Sequence, residues 1–170
     1  MEVEMARTRV ALLGLVFLML SAPIFAGRCI KKIIIRGAGL AAPIEMDEQI
    51  GRFFVWSGRG AFLNGVEETE GFLINWPKGA VAAPAATLQH FEVSFYEVDE
   101  RPAYVVTYAY DPATNQGFVY LPGKGENWYA VNTRSILRGK DVEGNWFMSS
   151  RAWDDFARPR IAKAKSGQRD

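Results

Sequence analysis

The sequence is poor in the two residue types that most often build metal and nucleophile sites. It contains one cysteine, Cys29, and one histidine, His90, in 170 residues. A single cysteine excludes an internal disulfide, and this pair cannot supply a zinc site of the common nitrogen and sulfur types. We therefore predict no metal and no cofactor, and a stability that comes from the hydrophobic core. Cys29 is interpreted as a packed thiol, with an intermolecular disulfide or a reactive thiol as the alternative.

The sequence also lacks an excess of charge of either sign. The 20 basic and 19 acidic residues leave a net charge of +1, so nothing global favours nucleic acid as a partner. Hydrophobic residues make up 49% and aromatic residues 13% of the chain, which excludes disorder as its main state. Positive charge gathers locally near the C-terminus, at Arg151, Arg158, Arg160, Lys163, Lys165 and Arg169. We interpret it as a solvated helix face, with an anionic envelope surface as the alternative.

The first 26 residues have the layout of a secretory signal peptide. An apolar run at residues 10–20 follows Arg7 and Arg9 and precedes a small-residue segment that ends at Ala26. The run is shorter than the 20 or so apolar residues that a membrane span needs. We therefore predict cleavage after Ala26, export to the periplasm or medium, and one domain at 27–170. An uncleaved anchor, or lipidation at Cys29, is the alternative.

The remaining pattern predicts a mostly antiparallel α+β domain with about five to seven strands. Phe91, Val93 and Phe95 alternate with polar residues, as in a half-buried strand. Asp111 and Pro112 begin a turn that predicts a hairpin. The predicted strands are 30–36, 71–76, 88–96, 103–110, 118–121, 128–131 and 146–148, and residues 79–87 are predicted to be an exposed connection.

Two helices complete the prediction. Asp47 caps a short helix with Ile50, Phe53 and Phe54 on one face. Ser150 caps a C-terminal helix with acidic residues in its first turn, and Pro159 is predicted to kink it or to divide it in two. Trp153, Phe156, Ala157 and Ile161 form its apolar stripe.

Several segments resemble a family of exported bacterial proteins that has no assigned function. The similar segments are 33–40, 43–45, 100–106, 110–112, 120–123 and 142–147. They cover most of the chain after the signal peptide. The resemblance implies a bacterial secreted domain, and it implies no activity, cofactor or site residue.

Candidate catalytic groups are few. His90 lies on the polar side of a predicted strand and has no nucleophile elbow nearby, which favours an ordinary strand histidine. Residues 58–60 (GRG) follow a helix pattern, not the strand that precedes a phosphate-binding loop. Carboxylates form three groups, which are Glu67, Glu68 and Glu70; Glu97, Asp99 and Glu100; and Asp154 and Asp155. A pair of them could hydrolyse a glycan only if the fold brought the two together across a cleft.

Aromatic residues are the remaining functional signal. Tyr104, Tyr108 and Tyr110 share one face of a predicted strand, and Trp128 is one of 5 tryptophans. Such rings pack in cores, and they also stack on sugars or anchor partner proteins. We name these four as candidate ligand-binding residues and no residue as catalytic. The leading hypothesis is a non-enzymatic binding module of the bacterial envelope or secreted fraction, with a glycan or protein as partner. A small extracytoplasmic hydrolase with a carboxylate pair is the alternative.

Overall fold

The computed structural model describes residues 30–47, 73–97, 100–135 and 142–167. Its strands are β1 Lys32–Gly37, β2 Ile44–Met46, β3 Ala80–Val81, β4 His90–Tyr96, β5 Tyr104–Asp111, β6 Gln116–Leu121 and β7 Asn145–Met148. Its α-helices are α1 Tyr129–Ser135 and α2 Arg151–Lys165, and a short 3-10 helix covers Trp76–Lys78. The predicted signal peptide, Cys29 and the helix after Asp47 lie outside the described residues.

All seven strands belong to one antiparallel sheet. Their order is β2-β1-β4-β5-β6-β7-β3, and every neighbouring pair is antiparallel. The prediction of a mostly antiparallel α+β domain is confirmed. Turn chemistry explains the central hairpin, because the Asp111 carboxylate accepts bonds from the Ala113 N–H (2.9 Å) and the Thr114 hydroxyl (2.8 Å).

The core lies between the sheet and α2. Phe91, Val93 and Phe95 of β4 are buried on this face, as their alternation predicts. The predicted apolar stripe of α2 is buried as well. Trp153 is fully buried, and its ring lies 6.0 Å from those of Phe95 and Tyr108. The C-terminal helix therefore closes the core over the central strands.

The start of α2 is capped as predicted. Ser150 has an extended backbone, and its hydroxyl accepts a bond from the Trp153 N–H at 3.1 Å. Helix α2 continues across Pro159 to Lys165. The kink at Pro159 stays a prediction.

The predicted strand at 128–131 is wrong. Residues from Tyr129 onward form α1, which packs on β5 across the sheet from α2. Asn132 is buried there, and its amide binds both the N–H (2.8 Å) and the carbonyl (2.6 Å) of Val105. This distant contact satisfies backbone groups of β5 and outweighs the local strand preference of aromatic and β-branched residues.

Two boundaries between β2 and β4 also differ from prediction. In the described part of the predicted strand at 71–76, residues 73–76, Ile74 forms a single bridge to Ser149, and Pro77 lies inside the 3-10 helix. Within the predicted connection at 79–87, Ala80–Val81 pairs with the edge of β7. Both segments are too short to show a hydrophobic period, so only the pairing with β7 identifies them.

Candidate functional site

A half-open groove lies along α2, between the helix, residues 87–91 and the end of β5. Its volume is about 650 Å³. We call it the α2 groove. Its apolar lining residues include Leu88, Phe91, Pro112, Pro159 and Ile161. A cavity of this size and composition is typical of sites for small molecules.

Two cations of α2 lie over aromatic rings of the groove. The Arg158 guanidinium is 4.0 Å from the ring centroid of Tyr110, and the Lys165 ammonium is 5.0 Å from that of Phe91. Cations in these positions are attracted by the ring faces. Among the described residues, neither cation forms an ion pair with a carboxylate. Their charges therefore remain available to a ligand in the groove.

One wall of the groove contains a buried carboxylate. Asp154 is 4% exposed. Its Oδ1 accepts bonds from the Tyr108 hydroxyl (2.8 Å) and the Ser149 hydroxyl (2.5 Å), and its Oδ2 accepts one from the Gly117 N–H (3.1 Å). Three donors from β5, β6 and the residue after β7 thus bind one side chain of α2, so the network fixes the helix on the sheet.

Burial dominates the electrostatics of this network. It raises the pKa of the Asp154 carboxyl, against the smaller lowering effects of the bonds from Ser149, Tyr108 and Gly117 and of the Arg158 charge. Burial also raises the pKa of the Tyr108 hydroxyl, and the neighbouring Asp154 charge adds to the rise. Tyr108 is therefore a neutral donor, and Asp154 is harder to ionise than a solvated aspartate.

The raised pKa of Asp154 predicts a pH dependence of stability. The folded state binds this proton more tightly than the unfolded chain, so the stability it contributes is complete below the unfolded pKa and is lost as pH rises through the folded pKa. We expect the free energy of unfolding of the wild type minus that of Asp154→Asn to fall as pH rises above 3.8. Urea titrations of both proteins at several pH values between about 3.5 and 7 measure this difference in the free energy of unfolding.

The pKa of Asp111 is lowered by its bonds to Thr114 and Ala113. Both proteins contain Asp111, so its contribution to the pH dependence cancels in the difference between them. A difference between the two proteins that stays flat or grows with pH would contradict the raised pKa.

The structure separates the four aromatic residues named from the sequence. Tyr104, Tyr108 and Tyr110 share the core face of β5. Tyr104 stacks on Phe95 with ring centroids 4.4 Å apart, and Tyr108 is fully buried. Tyr110 lines the groove, and its hydroxyl donates to Asn115 at 2.7 Å. Trp128 lies after β6, near the opposite face of the sheet, where it bonds to Glu92.

The other candidates from the sequence are spread apart. His90 is exposed, and its ring packs 5.4 Å from that of Trp146. Asp154 and Asp155 both line the groove, whereas Glu97 and Glu100 follow the end of β4. The remaining ones, Glu67, Glu68, Glu70, Asp99 and residues 58–60, lie outside the described residues.

The prediction of a solvated basic face does not account for two of the α2 cations, because Arg158 and Lys165 lie over aromatic rings of the groove. Their spacing held a signal, because positions 154, 158, 161 and 165 follow the i, i+4, i+7, i+11 pattern of one helix face. Two cations on the edge of an apolar stripe predict a face that is neither wholly core nor wholly solvated.

The remaining observations concern metals, membranes and relatives. In the part of the chain that the structure describes, no group of three His, Cys, Asp or Glu residues is placed to hold a metal ion. None of the described helices is long and apolar enough to cross a membrane. No family model, curated protein or solved structure matches the chain.

Proposed function

We propose that this protein is a binding module whose α2 groove takes a small amphipathic molecule with an anionic group. The observation that carries the proposal is the pairing of an apolar cavity with two cations held over its aromatic rings. The apolar walls would bury the hydrocarbon part of the ligand, and Arg158 and Lys165 would bind its acid group.

The charges of the two acids in the groove support an anionic ligand over a cationic one. Asp155 forms an ion pair with Arg151 at 3.6 Å on the outside of the helix. Asp154 is buried, and its three bonds occupy both of its oxygens. The Arg158 charge acts on buried Asp154 from a distance, but neither Arg158 nor Lys165 forms an ion pair among the described residues, so the unpaired charge of the groove is positive.

The same geometry leads us to favour binding over hydrolysis by a carboxylate pair. A catalytic carboxylate needs an oxygen that is free to attack a substrate or to exchange a proton with it. The Asp154 oxygens are directed at Tyr108, Ser149 and Gly117. Asp155 is the next residue of the helix, so the two side chains point about 100° apart around its axis.

Export of the protein and the kind of partner it binds are also part of the proposal. The signal for export lies within residues 1–26, and the small neutral domain suits the periplasm or the medium. An amphipathic acid of the envelope would be available to such a module in either place. The prediction of a glycan or protein partner was made for Tyr104, Tyr108, Tyr110 and Trp128, of which only Trp128 lies near the other face of the sheet.

Anilinonaphthalene sulfonate and decanoate test the groove, because both combine an apolar body with an anion. We expect one molecule of the dye to bind per chain and decanoate to displace it. Arg158→Ala should weaken dye binding about tenfold, since a charge-assisted contact is lost. Lys165→Gln should act in the same direction. Calorimetry and dye fluorescence measure both.

Lys163→Gln is the matched control. It removes the same charge from the same helix at an exposed position that does not line the groove. Its affinity should equal that of the wild type. Equal affinity in all three variants, or no saturable binding to the folded wild type, would contradict the proposed function.

A further inference from the structure

The sheet face opposite α2 carries a cross-strand row of polar and aromatic side chains. In each neighbouring pair of strands these residues are directly opposite one another. In order, they are Arg36 of β1, Glu92 of β4, Thr107 of β5, Tyr120 of β6 and Trp146 of β7. We call them the aromatic row. Directly opposite residues on one face lie within contact distance of their neighbours.

Three rings form a continuous surface at one end of the row. The ring centroids of Tyr120 and Trp146 are 5.1 Å apart, with an angle of 36° between the planes. Trp146 is also 5.4 Å from the ring of His90, at 49°. These three side chains are half-buried or exposed, so part of each ring meets solvent.

Trp128 reaches the other end of the row. It is the exposed large hydrophobic side chain in the described part of the chain, at 37%. Its indole N–H donates to Glu92 at 2.9 Å. Its backbone has φ of +71°, a conformation that bulky residues rarely adopt and that tends to persist where function requires it. The backbone and the Glu92 bond together fix the ring at the surface.

Carboxylates lie beside the rings at both ends. Glu126 accepts bonds from the Tyr120 hydroxyl (2.9 Å) and the Gly123 N–H (2.8 Å). Glu92 accepts from Trp128 and also lies 3.9 Å from the Arg36 guanidinium. The rings of Tyr120 and Trp128 are therefore held by hydrogen bonds, and acceptors lie at their edges.

We propose that the aromatic row, with Trp128 and His90, binds a neutral saccharide of pyranose rings. The C–H face of a pyranose stacks on flat rings, and its hydroxyls need acceptors and donors at the ring edges, which Glu92, Glu126 and Arg36 provide. Two strand spacings separate Glu92 from Tyr120, about 10 Å across the sheet. The short side chain of Thr107 lies between them, which leaves an open surface as long as a disaccharide.

Two features favour a neutral saccharide over other occupants. The carboxylates of Glu92 and Glu126 would repel an acidic sugar. A protein partner is generally anchored by Trp, Tyr or Arg side chains that become fully desolvated, polar edges included. Here the polar edges of Tyr120 and Trp128 are already bonded to charged groups. The site is on the opposite face from the α2 groove, so this inference does not depend on the proposed function.

Titration of the full chain with cellotetraose, chitotetraose and maltotetraose tests the inference. We expect at least one of them to bind and to change the tryptophan fluorescence. Trp128→Ala should weaken that binding about tenfold through the loss of ring stacking. Trp146→Ala should weaken it as well, and Glu92→Gln, which keeps the shape of the side chain, covers the case in which a tryptophan variant fails to fold.

Lys163→Gln is the control, because it alters an exposed position of α2, away from the aromatic row, and should leave saccharide affinity unchanged. Absence of binding to all three tetrasaccharides at millimolar concentration would overturn the inference. Binding that survives Trp128→Ala, Trp146→Ala and Glu92→Gln would overturn it too. Self-association that Trp128→Ala abolishes, without any saccharide effect, would identify a second copy as the occupant instead.

Discussion

Gly117→Ala is expected to lower the free energy of unfolding by about 3 kcal/mol, at the upper end of the range for overpacked sites. A methyl group at this position would overlap Asp154 Oδ1 and Ser149 Oγ and would press on the ring of Tyr108. All three groups are buried and belong to one hydrogen-bond network. None can move without breaking a bond, so the whole network must shift. Urea denaturation at neutral pH measures the loss.

Gly125→Ala separates this overlap from ordinary glycine effects. Gly125 has φ of +90°, and a methyl group there would meet no atom within 4 Å. We expect that variant to lose about 1 kcal/mol, through backbone strain alone. Equal losses at the two positions would show that the packing around Gly117 is not as close as described here.

Asp154→Ala is expected to lower the free energy of unfolding by about 3 to 5 kcal/mol. The substitution leaves the Tyr108 hydroxyl, the Ser149 hydroxyl and the Gly117 N–H without their acceptor in a buried place, and unsatisfied buried donors are costly. It also removes the link between α2 and the central strands. Urea denaturation and the dye titration together measure stability and the integrity of the groove.

The neighbouring Asp155→Ala is the matched control. Its carboxylate is largely exposed and forms a single ion pair with Arg151 on the helix surface. Such pairs contribute about 0.5 kcal/mol or less. If Asp154→Ala gives no soluble protein, Ser149→Ala weakens the same network more mildly and should still lose more stability than Asp155→Ala. Similar losses in the Asp154 and Asp155 variants would argue against a structural role for the network.

These predictions connect the fold to the groove. Asp154 and Arg158 are one turn apart on α2, so the bonds that fix Asp154 also determine where Arg158 meets the ring of Tyr110. A variant that loosens the network should therefore weaken anion binding even though the binding cations are unchanged.

Local chemistry was sufficient for several elements. The Ser150 cap, the hairpin turn after Asp111 and the burial of Phe91, Val93 and Phe95 follow from neighbouring residues. The segment from Trp128 onward was misread, because aromatic and β-branched residues resemble a strand. Asn132 and Val105 are 27 positions apart, so a short stretch of sequence does not reveal the bonds between them.

The candidate sites show the same division. The sequence placed Tyr104, Tyr108 and Tyr110 on one face, but it did not show which of them would be covered. Helix α2 buries Tyr108 against Trp153 and leaves Tyr110 in the groove. Likewise, Trp128 and Trp146 are 18 positions apart in the chain, and only the pairing of β4 to β7 brings their surroundings into one row.

Local sequence is sufficient to specify the periodicity of the strands and of α2, the turn after Asp111 and the helix cap. These properties depend on interactions between residues a few positions apart. Tertiary structure alone decided which carboxylate is buried, which cations lie over aromatic rings and which face of the sheet presents tryptophan. Those outcomes depend on burial and on distances between remote segments, because desolvation and close packing act through space and not along the chain.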